Sequence, residues 1–197
     1  MSIIFALGLI YSPALFSQAE EVSRASSSSR FDKLYPASEG WQRVQKGGEF
    51  GFLDTLGQLV IPFQYAQASD RKEGMTRVGI HGKFGFLDST GSPLTPLMYE
   101  QVWNFEEGMA MVQLNGKFGF INRAGELIIP PIYDQAQAAS EGFIILCRNR
   151  FCGYFTLEGK QLTPMIYEEA RPFFKGRAHV KDREGWKYLN VQGKVVE

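Results

Sequence analysis

GMAMVQLNGKFGFINRAGELIIPPIYDQAQAASE, residues 108–141, contains two short β-favouring runs on either side of the pair Asn115-Gly116. Asn-Gly between two such runs is the strongest local signal for a β-hairpin, because both positions of the tight turn need a positive φ. With this pair as the loop, Val112 lies opposite Gly119 on the partner strand. The stretch therefore predicts a hairpin followed by further short elements.

The whole 34-residue unit recurs along the chain without insertion or deletion. Two series of glycines, one of prolines and one of tyrosines repeat at this interval. The series are Gly40, Gly74, Gly108, Gly142 and Gly176; Gly57, Gly91, Gly125, Gly159 and Gly193; Pro62, Pro96, Pro130 and Pro164; and Tyr65, Tyr99, Tyr133 and Tyr167. A fixed period of this length is the signature of a repeat architecture. The chain therefore carries about five copies of one unit.

Two further signals follow the hairpin within each unit. Asn122, three residues before Gly125, is typical of a tight turn in which an Asx side chain caps backbone amides. A third β-favouring run then ends at Pro130, which has no N–H to donate to a β-ladder. We expect each unit to contain three strands and a connector of about ten residues.

The faces of the predicted hairpin indicate how the units associate. Met111, opposite Phe120, belongs to one apolar face, and Ala110 and Val112 belong to the other. A single unit cannot bury both faces, so its neighbours must cover it. A glycine flanked by bulky residues also recurs within the second strand, which predicts close approach of another backbone. These glycines are Gly51, Gly85, Gly119 and Gly153.

The predicted fold class is all-β, with about five tandem 34-residue β-meander repeats. A curved open array is favoured over a closed, propeller-like ring, because propeller blades usually need four strands and the unit is short for that.

Residues 82–88, GKFGFLD, followed by Gly91, Pro96, Tyr99-Glu100 and Glu107-Gly108, resemble the WG repeat of bacterial proteins, also called the KWG repeat. The resemblance covers residues 31–197. In place of Trp-Gly the units carry Phe50-Gly51, Phe84-Gly85, Phe118-Gly119, Cys152-Gly153 and Trp186-Lys187. The resemblance implies a β-rich architecture and a role in interactions, and it implies no particular activity.

The N-terminal stretch differs from the repeats. Residues 3–16 are almost wholly apolar and are followed by Ser17-Gln18-Ala19, a signal-peptidase pattern that lacks only a preceding Lys or Arg. We predict a signal peptide at 1–19, a flexible Ser-rich linker at 20–30 and the repeat domain at 31–197. An uncleaved anchor and a buried core segment are the alternatives, but the run is short for a hydrocarbon layer of roughly 30 Å. The predicted location is periplasmic or extracellular, with no stable membrane span after cleavage.

Cys147 and Cys152 flank the loop pair Asn149-Arg150 of the fourth hairpin. Pairing across that loop places the two cysteines directly opposite each other, at a position where Cα atoms approach to about 4.5 Å. This spacing fits a cross-strand disulfide, which an oxidising compartment would form. We therefore predict the disulfide Cys147–Cys152, with two free structural thiols or a redox pair as the alternatives.

No residue pattern in the sequence predicts catalysis or the binding of a cofactor or metal. His81, in a hairpin turn, and His179, in mid-strand, lie at different phases of the repeat and form no repeated site. We find no catalytic arrangement, phosphate-binding loop or metal-ligand spacing, and we predict no catalytic, cofactor-binding or metal-binding residue. Acidic residues precede the turn glycines and are interpreted as solvated or amide-capping side chains. They are Glu39, Glu73, Glu107 and Glu141.

The predicted function is that of an exported, non-catalytic binding or scaffolding protein with a protein partner. A carbohydrate- or cell-wall-binding module is the alternative, because aromatic residues make up 14% of the chain. Nucleic acid is disfavoured, because 21 Lys and Arg balance 21 Asp and Glu. A specific site should break the repeat, and the units diverge at Trp41, Asp70-Arg71, Trp103 and Arg171.

Overall fold

The computed structural model describes residues 30–196, which form strands, turns and irregular segments and contain no helix. The predicted signal peptide and all but the last residue of the predicted linker lie outside the described residues. Five antiparallel sheets follow one another, which we number I (33–65), II (67–99), III (101–133), IV (135–167) and V (169–196). The prediction of an all-β chain of tandem 34-residue meanders is confirmed. Within the described range no helix is available to cross a membrane.

Sheets I, III and V each have four strands in chain order, whereas sheets II and IV have three. Sheet I contains β1 (Lys33–Ser38), β2 (Trp41–Lys46), β3 (Glu49–Leu53) and β4 (Leu59–Tyr65), and sheet II contains β5 (Gln67–Ala68), β6 (Thr76–Ile80) and β7 (Lys83–Leu87). Sheet III contains β8 (Gln101–Glu106), β9 (Met109–Leu114), β10 (Lys117–Asn122) and β11 (Leu127–Tyr133). Sheet IV contains β12 (Gln135–Ser140), β13 (Phe143–Arg148) and β14 (Phe151–Thr156), and sheet V contains β15 (Glu169–Ala170), β16 (Arg177–Asp182), β17 (Gly185–Asn190) and β18 (Val195–Val196).

The hairpins have the predicted register. Val112 lies opposite Gly119, and Met111 lies opposite Phe120. Asn115 and Gly116 both adopt positive φ values, 51° and 70°, as the tight turn requires. The Asn115-Gly116 pair therefore forms the tight turn of a β-hairpin.

The prediction of three strands and a connector is wrong, because the connector itself forms a strand. In sheet III, β8 pairs antiparallel with β9, with Val102 opposite Val112. The register shifts between Val102 and Phe105, so both side chains are buried although they are three residues apart. This irregular spacing departs from the two-residue alternation of an ideal strand, which is why the pattern gave no strand signal.

The last strand of the sheet has two forms among the first four sheets. β4 and β11 are complete strands, whereas the corresponding segments of sheets II and IV make only isolated bridges, such as Phe84 with Tyr99. In these two sheets a buried threonine completes the ladder: Thr95 Oγ1 accepts a hydrogen bond from Phe86 N–H, and Thr163 Oγ1 accepts one from Tyr154 N–H, each at 3.1 Å. Complete and threonine-completed last strands thus alternate through the first four sheets.

The apolar core is divided among consecutive sheets. Ala110 and Val112 of β9 pack in a cluster with sheet II, whereas Met109 and Met111 of the same strand pack with sheet IV. Both faces of the hairpin are therefore covered by neighbouring units, as predicted. None of the five apolar clusters of the described residues joins the first sheet to the fifth, so the contacts are those of a tandem array.

Candidate functional site

The periodic glutamates cap amides, as predicted, but they do so across units. Glu107 accepts hydrogen bonds from the N–H groups of Glu141 at 2.9 Å and Gly142 at 2.8 Å, which form the equivalent turn of the next unit. Glu39 and Glu141 make the same pair of contacts to their own following units. Glu73 reaches Gly108 N–H at 3.2 Å and pairs with Arg123 at 2.8 Å. We call Glu39, Glu73, Glu107 and Glu141 the carboxylate ladder, and its role is to join units.

Cys147 and Cys152 lie opposite each other on β13 and β14, so the register expected from the hairpin loop is confirmed. Their Cα atoms are 4.0 Å apart, and the sulfur atoms are joined as a disulfide. The pair is buried in the cluster between sheets IV and V, where it packs with Val180 and Leu189. The disulfide is thus part of a sheet-to-sheet interface in the interior.

Sheet V presents an exposed aromatic surface. Trp186, at 42% exposure, and Tyr188, at 45%, flank the half-buried imidazole of His179. The ring centroids of His179 and Tyr188 are 4.6 Å apart and stacked, and those of His179 and Trp186 are 4.3 Å apart. Arg171 lies over Trp186, with Cζ 5.2 Å from the ring centroid. We call His179, Trp186 and Tyr188 the terminal face.

Tyr188 of the terminal face occupies a repeat position that is covered in the other units. The residues equivalent to Tyr188 are buried against the following sheet in every earlier unit, at 1% exposure or less. They are Phe52, Phe86, Phe120 and Tyr154. Within residues 30–196, Tyr188 alone of this series remains exposed. Among the described residues, Tyr188 is therefore the exposed counterpart of the aromatic residues by which the earlier units stack.

Lys187 lies between Trp186 and Tyr188 in β17, so its side chain points to the opposite face of the sheet, toward Phe151 and Met165 of sheet IV. Its Nζ lies 2.8 Å from an oxygen of Asp182 and 2.5 Å from an oxygen of Glu184. The hydrogen bond to Asp182, followed by the one to Glu184, raises the pKa of Lys187 to about 12. The lysine side chain therefore stays charged, on the face of sheet V opposite the aromatic side chains.

A second surface feature is a cleft of about 850 Å³ between sheets I, II and III. It brings together three of the residues at which the units diverge, because Asp70, Arg71 and Trp103 all line it. Trp41 lies beneath Arg71, with the guanidinium carbon 4.5 Å from the indole centroid. Arg171, the remaining diverging residue, lies over Trp186 on sheet V and is not part of this cleft.

Two cleft residues, Arg43 and Arg77, were missed from the sequence. Each occurs within an alternating strand, where an arginine is ordinarily interpreted as solvated. The available signal was the repeat itself, because the equivalent positions in the next two units are Met111 and Ile145. His81, in contrast, is exposed in its turn with a φ of 50°, and no metal-binding group of His, Cys, Asp and Glu occurs in the described part of the chain.

Comparison with known proteins identifies the repeat. The family model described as "WG containing repeat" matches residues 50–84, 84–118, 118–149 and 153–186. No curated protein sequence matches the chain.

Several solved structures are similar in outline. Kluyveromyces lactis Hsv2 shares 10% identity at a TM-score of 0.44, with 81% of this chain and 60% of that chain covered. PorZ of Porphyromonas gingivalis shares 11% identity at 0.41, with coverage of 84% and 25%. The extracellular domain of BT4673 from B. thetaiotaomicron shares 12% identity at 0.39, with coverage of 85% and 29%. The chain thus spans at most about three fifths of these proteins, and TM-scores below 0.5 support no inference about function.

Proposed function

Because the chain belongs to the WG-repeat family, whose repeat model matches four successive segments of it, we propose that it is an exported, non-catalytic binding protein whose partner is another protein. The observation that carries this proposal is the terminal face. Trp186 and Tyr188 are exposed at positions that every earlier unit uses to pack against protein.

The chemistry of the terminal face suits a protein partner. In the earlier units the same positions are covered by the apolar side chains of a neighbouring β-hairpin, such as Val78 and Leu87 over Phe52. Contiguous exposed aromatic side chains are typical of interaction sites, and Trp, Tyr and Arg are the residue types most enriched among binding hot spots. A partner that supplies an apolar β-surface would therefore complete the stacking pattern at sheet V.

Two features support export. The predicted signal peptide at 1–19 lies outside the described residues and rests on the sequence pattern alone. The Cys147–Cys152 disulfide is independent of that pattern, and disulfides persist mainly in oxidising compartments. We therefore place the binding function in the periplasm or outside the cell.

The proposal is tested by photocrosslinking from the terminal face in the native envelope. A photoreactive phenylalanine derivative at position 188 should capture one reproducible protein, and Trp186→Ala should abolish that capture. The matched control places the same derivative at Ile132, which is similarly exposed at 44% but lies on sheet III. Failure to recover a reproducible partner from position 188, or equal recovery from position 132, would exclude this face as the protein-binding site.

A carbohydrate or cell-wall ligand is a second candidate, favoured by one specific observation. His179, Trp186 and Tyr188 form a row of rings on an exposed sheet, and aromatic faces of this kind can pack against the apolar faces of sugars. Purified protein should then pellet with isolated cell-wall material and lose this property in Trp186→Ala. If wild-type protein is retained neither on isolated cell walls nor on a glycan array, this candidate is eliminated.

A further inference from the structure

Three arginines break the repeat in the first two units. Arg43 and Arg77 occupy the position at which later units bury Met111 and Ile145 in apolar clusters. Arg71 occupies the position of Phe105 and Phe173, which are 1% and 2% exposed, and of the smaller Ala37 and Ala139. The arginines therefore stand where later units bury apolar side chains. All three line the cleft between sheets I, II and III.

The carboxylates of the cleft are already engaged. Glu39 accepts from the amides of Glu73 and Gly74 as part of the carboxylate ladder. Glu100 accepts from the amides of the next hairpin turn, at 3.1 Å and 2.8 Å. Asp70 pairs with Arg43, with the Oδ1–Nε distance at 3.2 Å. Arg43 is thus the one cleft arginine for which the described residues supply a carboxylate within ion-pairing distance.

Arg77 has a positive charge without a counter-ion. Its Nη1 donates to the carbonyl of Val102 at 3.2 Å, and no carboxylate of the described residues lies within 4.0 Å of it. Burial lowers the pKa of its guanidinium, and the nearby charge of Arg43 lowers that pKa further. A partly desolvated cation beside a like charge is unfavourable unless an anion compensates it.

Donors in the same region also lack acceptors. The Nε atoms of Arg71 and Arg77 are buried and make no hydrogen bond within the described part of the chain, whereas Arg43 Nε lies 3.2 Å from Asp70 Oδ1. Arg71 uses Nη2 to reach the carbonyl of Ser89 at 3.0 Å, while its planar group lies over Trp41. The guanidinium groups are therefore held in place by carbonyl and aromatic contacts, with donor capacity left over.

We propose that this cleft is a binding site for a carboxylate group, with Arg77 as the anchor and Arg43 and Arg71 flanking it. The lining contains four cationic side chains and three carboxylates, and this surplus of one positive charge matches a singly charged carboxylate. A guanidinium presents a planar fork of N–H donors that fits a carboxylate in two parallel hydrogen bonds. Phe84 and Trp103 supply an apolar wall for the carbon skeleton that carries the carboxylate.

The site is independent of the terminal face, because it lies on sheets I to III whereas the terminal face lies on sheet V. The proposal for either site can be disproved without affecting the proposal for the other. The carboxylate can come from a free organic acid or from an acidic side chain of a protein, and both present the same group to Arg77.

The test is a titration of the ¹⁵N-labelled protein, followed through the Nε–Hε signals of its arginines. Sodium acetate supplies a free carboxylate, and N-acetyl-glutamate N-methylamide supplies one carried by a peptide unit. Sodium chloride at matched ionic strength is the reference. The signals of Arg43, Arg71 and Arg77 are expected to shift saturably with both carboxylates, beyond the chloride reference. Tighter binding of the peptide compound would identify a protein source, and equal binding would identify a free acid.

Arg77→Met is the informative variant, because methionine occupies the equivalent position of the next unit, Met111. It should fold and should weaken carboxylate binding by about tenfold or more, since a charge-assisted hydrogen-bond pair is lost. Lys46→Met removes an exposed positive charge outside the cleft and should leave binding unchanged. The proposal is overturned if the arginine signals follow ionic strength alone, or if folded Arg77→Met retains the wild-type affinity.

Discussion

At the residue scale, the glycines of the second hairpin strand show how tightly the unit is built. A Cβ atom added to Gly119 would lie 2.5 Å from the carbonyl oxygen of Ile129 and 2.8 Å from the nitrogen of Pro131. At Gly153 the three nearest atoms, Met165 Cγ and the carbonyl oxygens of Thr163 and Pro164, would each be 3.1 Å away. The same repeat position therefore tolerates extra volume to different degrees, depending on what lies beneath it.

We predict that Gly119→Ala lowers the free energy of unfolding by about 1–3 kcal/mol, because the backbone of β11 must move to admit a methyl group. Gly153→Ala should cost less, since its nearest atoms lie 3.1 Å away and need to move by only a few tenths of an ångström. Urea denaturation of both variants against wild type measures the difference. Equal losses, or a larger loss at Gly153, would contradict the packing argument.

Residue-level patterns predicted part of the glycine packing and of the amide capping by glutamates. A glycine between bulky residues indicated that another backbone approaches, although which strand approaches depended on the fold of the unit's second half. The turn glutamates were interpreted as solvated or amide-capping side chains, but a single unit contains no information about the neighbouring turn to which Glu107 binds. Arg77 was missed because its strand context suggested a solvated side chain, and only comparison with Met111 identifies it as an exception.

At the scale of the strand, threonine replaces part of a β-ladder. Sheets II and IV contain Leu-Thr-Pro, at 94–96 and 162–164, where sheets I and III contain Val-Ile-Pro and Ile-Ile-Pro. The threonine hydroxyl accepts the N–H of a fully buried residue, Phe86 or Tyr154, that a complete last strand would otherwise serve. The alternation of complete and bridged last strands therefore follows one residue of each unit, which is isoleucine or threonine before the proline.

We predict that Thr163→Val lowers the free energy of unfolding by about 1–3 kcal/mol, because it leaves the buried N–H of Tyr154 without an acceptor while it changes the side-chain volume little. Thr163→Ser retains the hydroxyl and should recover most of that loss. Thermal unfolding of both variants tests the prediction. A Thr163→Val protein as stable as Thr163→Ser would mean that the hydrogen bond adds nothing to stability.

The first strand of each sheet was harder to predict from the sequence. Residues 135–140, QAQAAS, combine low β-propensity with no regular apolar alternation, so the segment suggested a connector. It becomes β12 because the exposed edge of β13 offers unpaired backbone groups, with Gln135 opposite Cys147 and Ser140 opposite Phe143. Tertiary pairing here overrides local preference, as often happens for strands at the edge of a sheet.

At the scale of the whole molecule, the units are joined by two different kinds of contact. Apolar clusters bury the faces of successive sheets, and the carboxylate ladder links the equivalent turns at one end of each unit. In such an array the total stability is approximately the sum of unit stabilities and nearest-neighbour interactions. Loss of one ladder contact should therefore weaken one interface and leave the internal structure of each sheet unchanged.

Glu107→Ala provides the test, because Glu107 joins sheet III to sheet IV in the middle of the array. The two freed amides, of Glu141 and Gly142, lie in an exposed turn and can bind water, so we expect a loss of about 1 kcal/mol, similar to that of a helix cap. Hydrogen exchange should increase at the turn and along the interface between sheets III and IV, while the hairpin of sheet I stays protected.

Glu49→Ala is the matched control, because Glu49 is an exposed glutamate next to a hairpin turn, at the start of β3, and lies outside the ladder. If both variants unfold and exchange alike, the apolar clusters alone hold the units together, and the recurrence of the glutamates needs another explanation. If only Glu107→Ala loosens the interface, the ladder is a repeated inter-unit clasp. The spacing of the acidic residues would then report directly which turns are neighbours in the array.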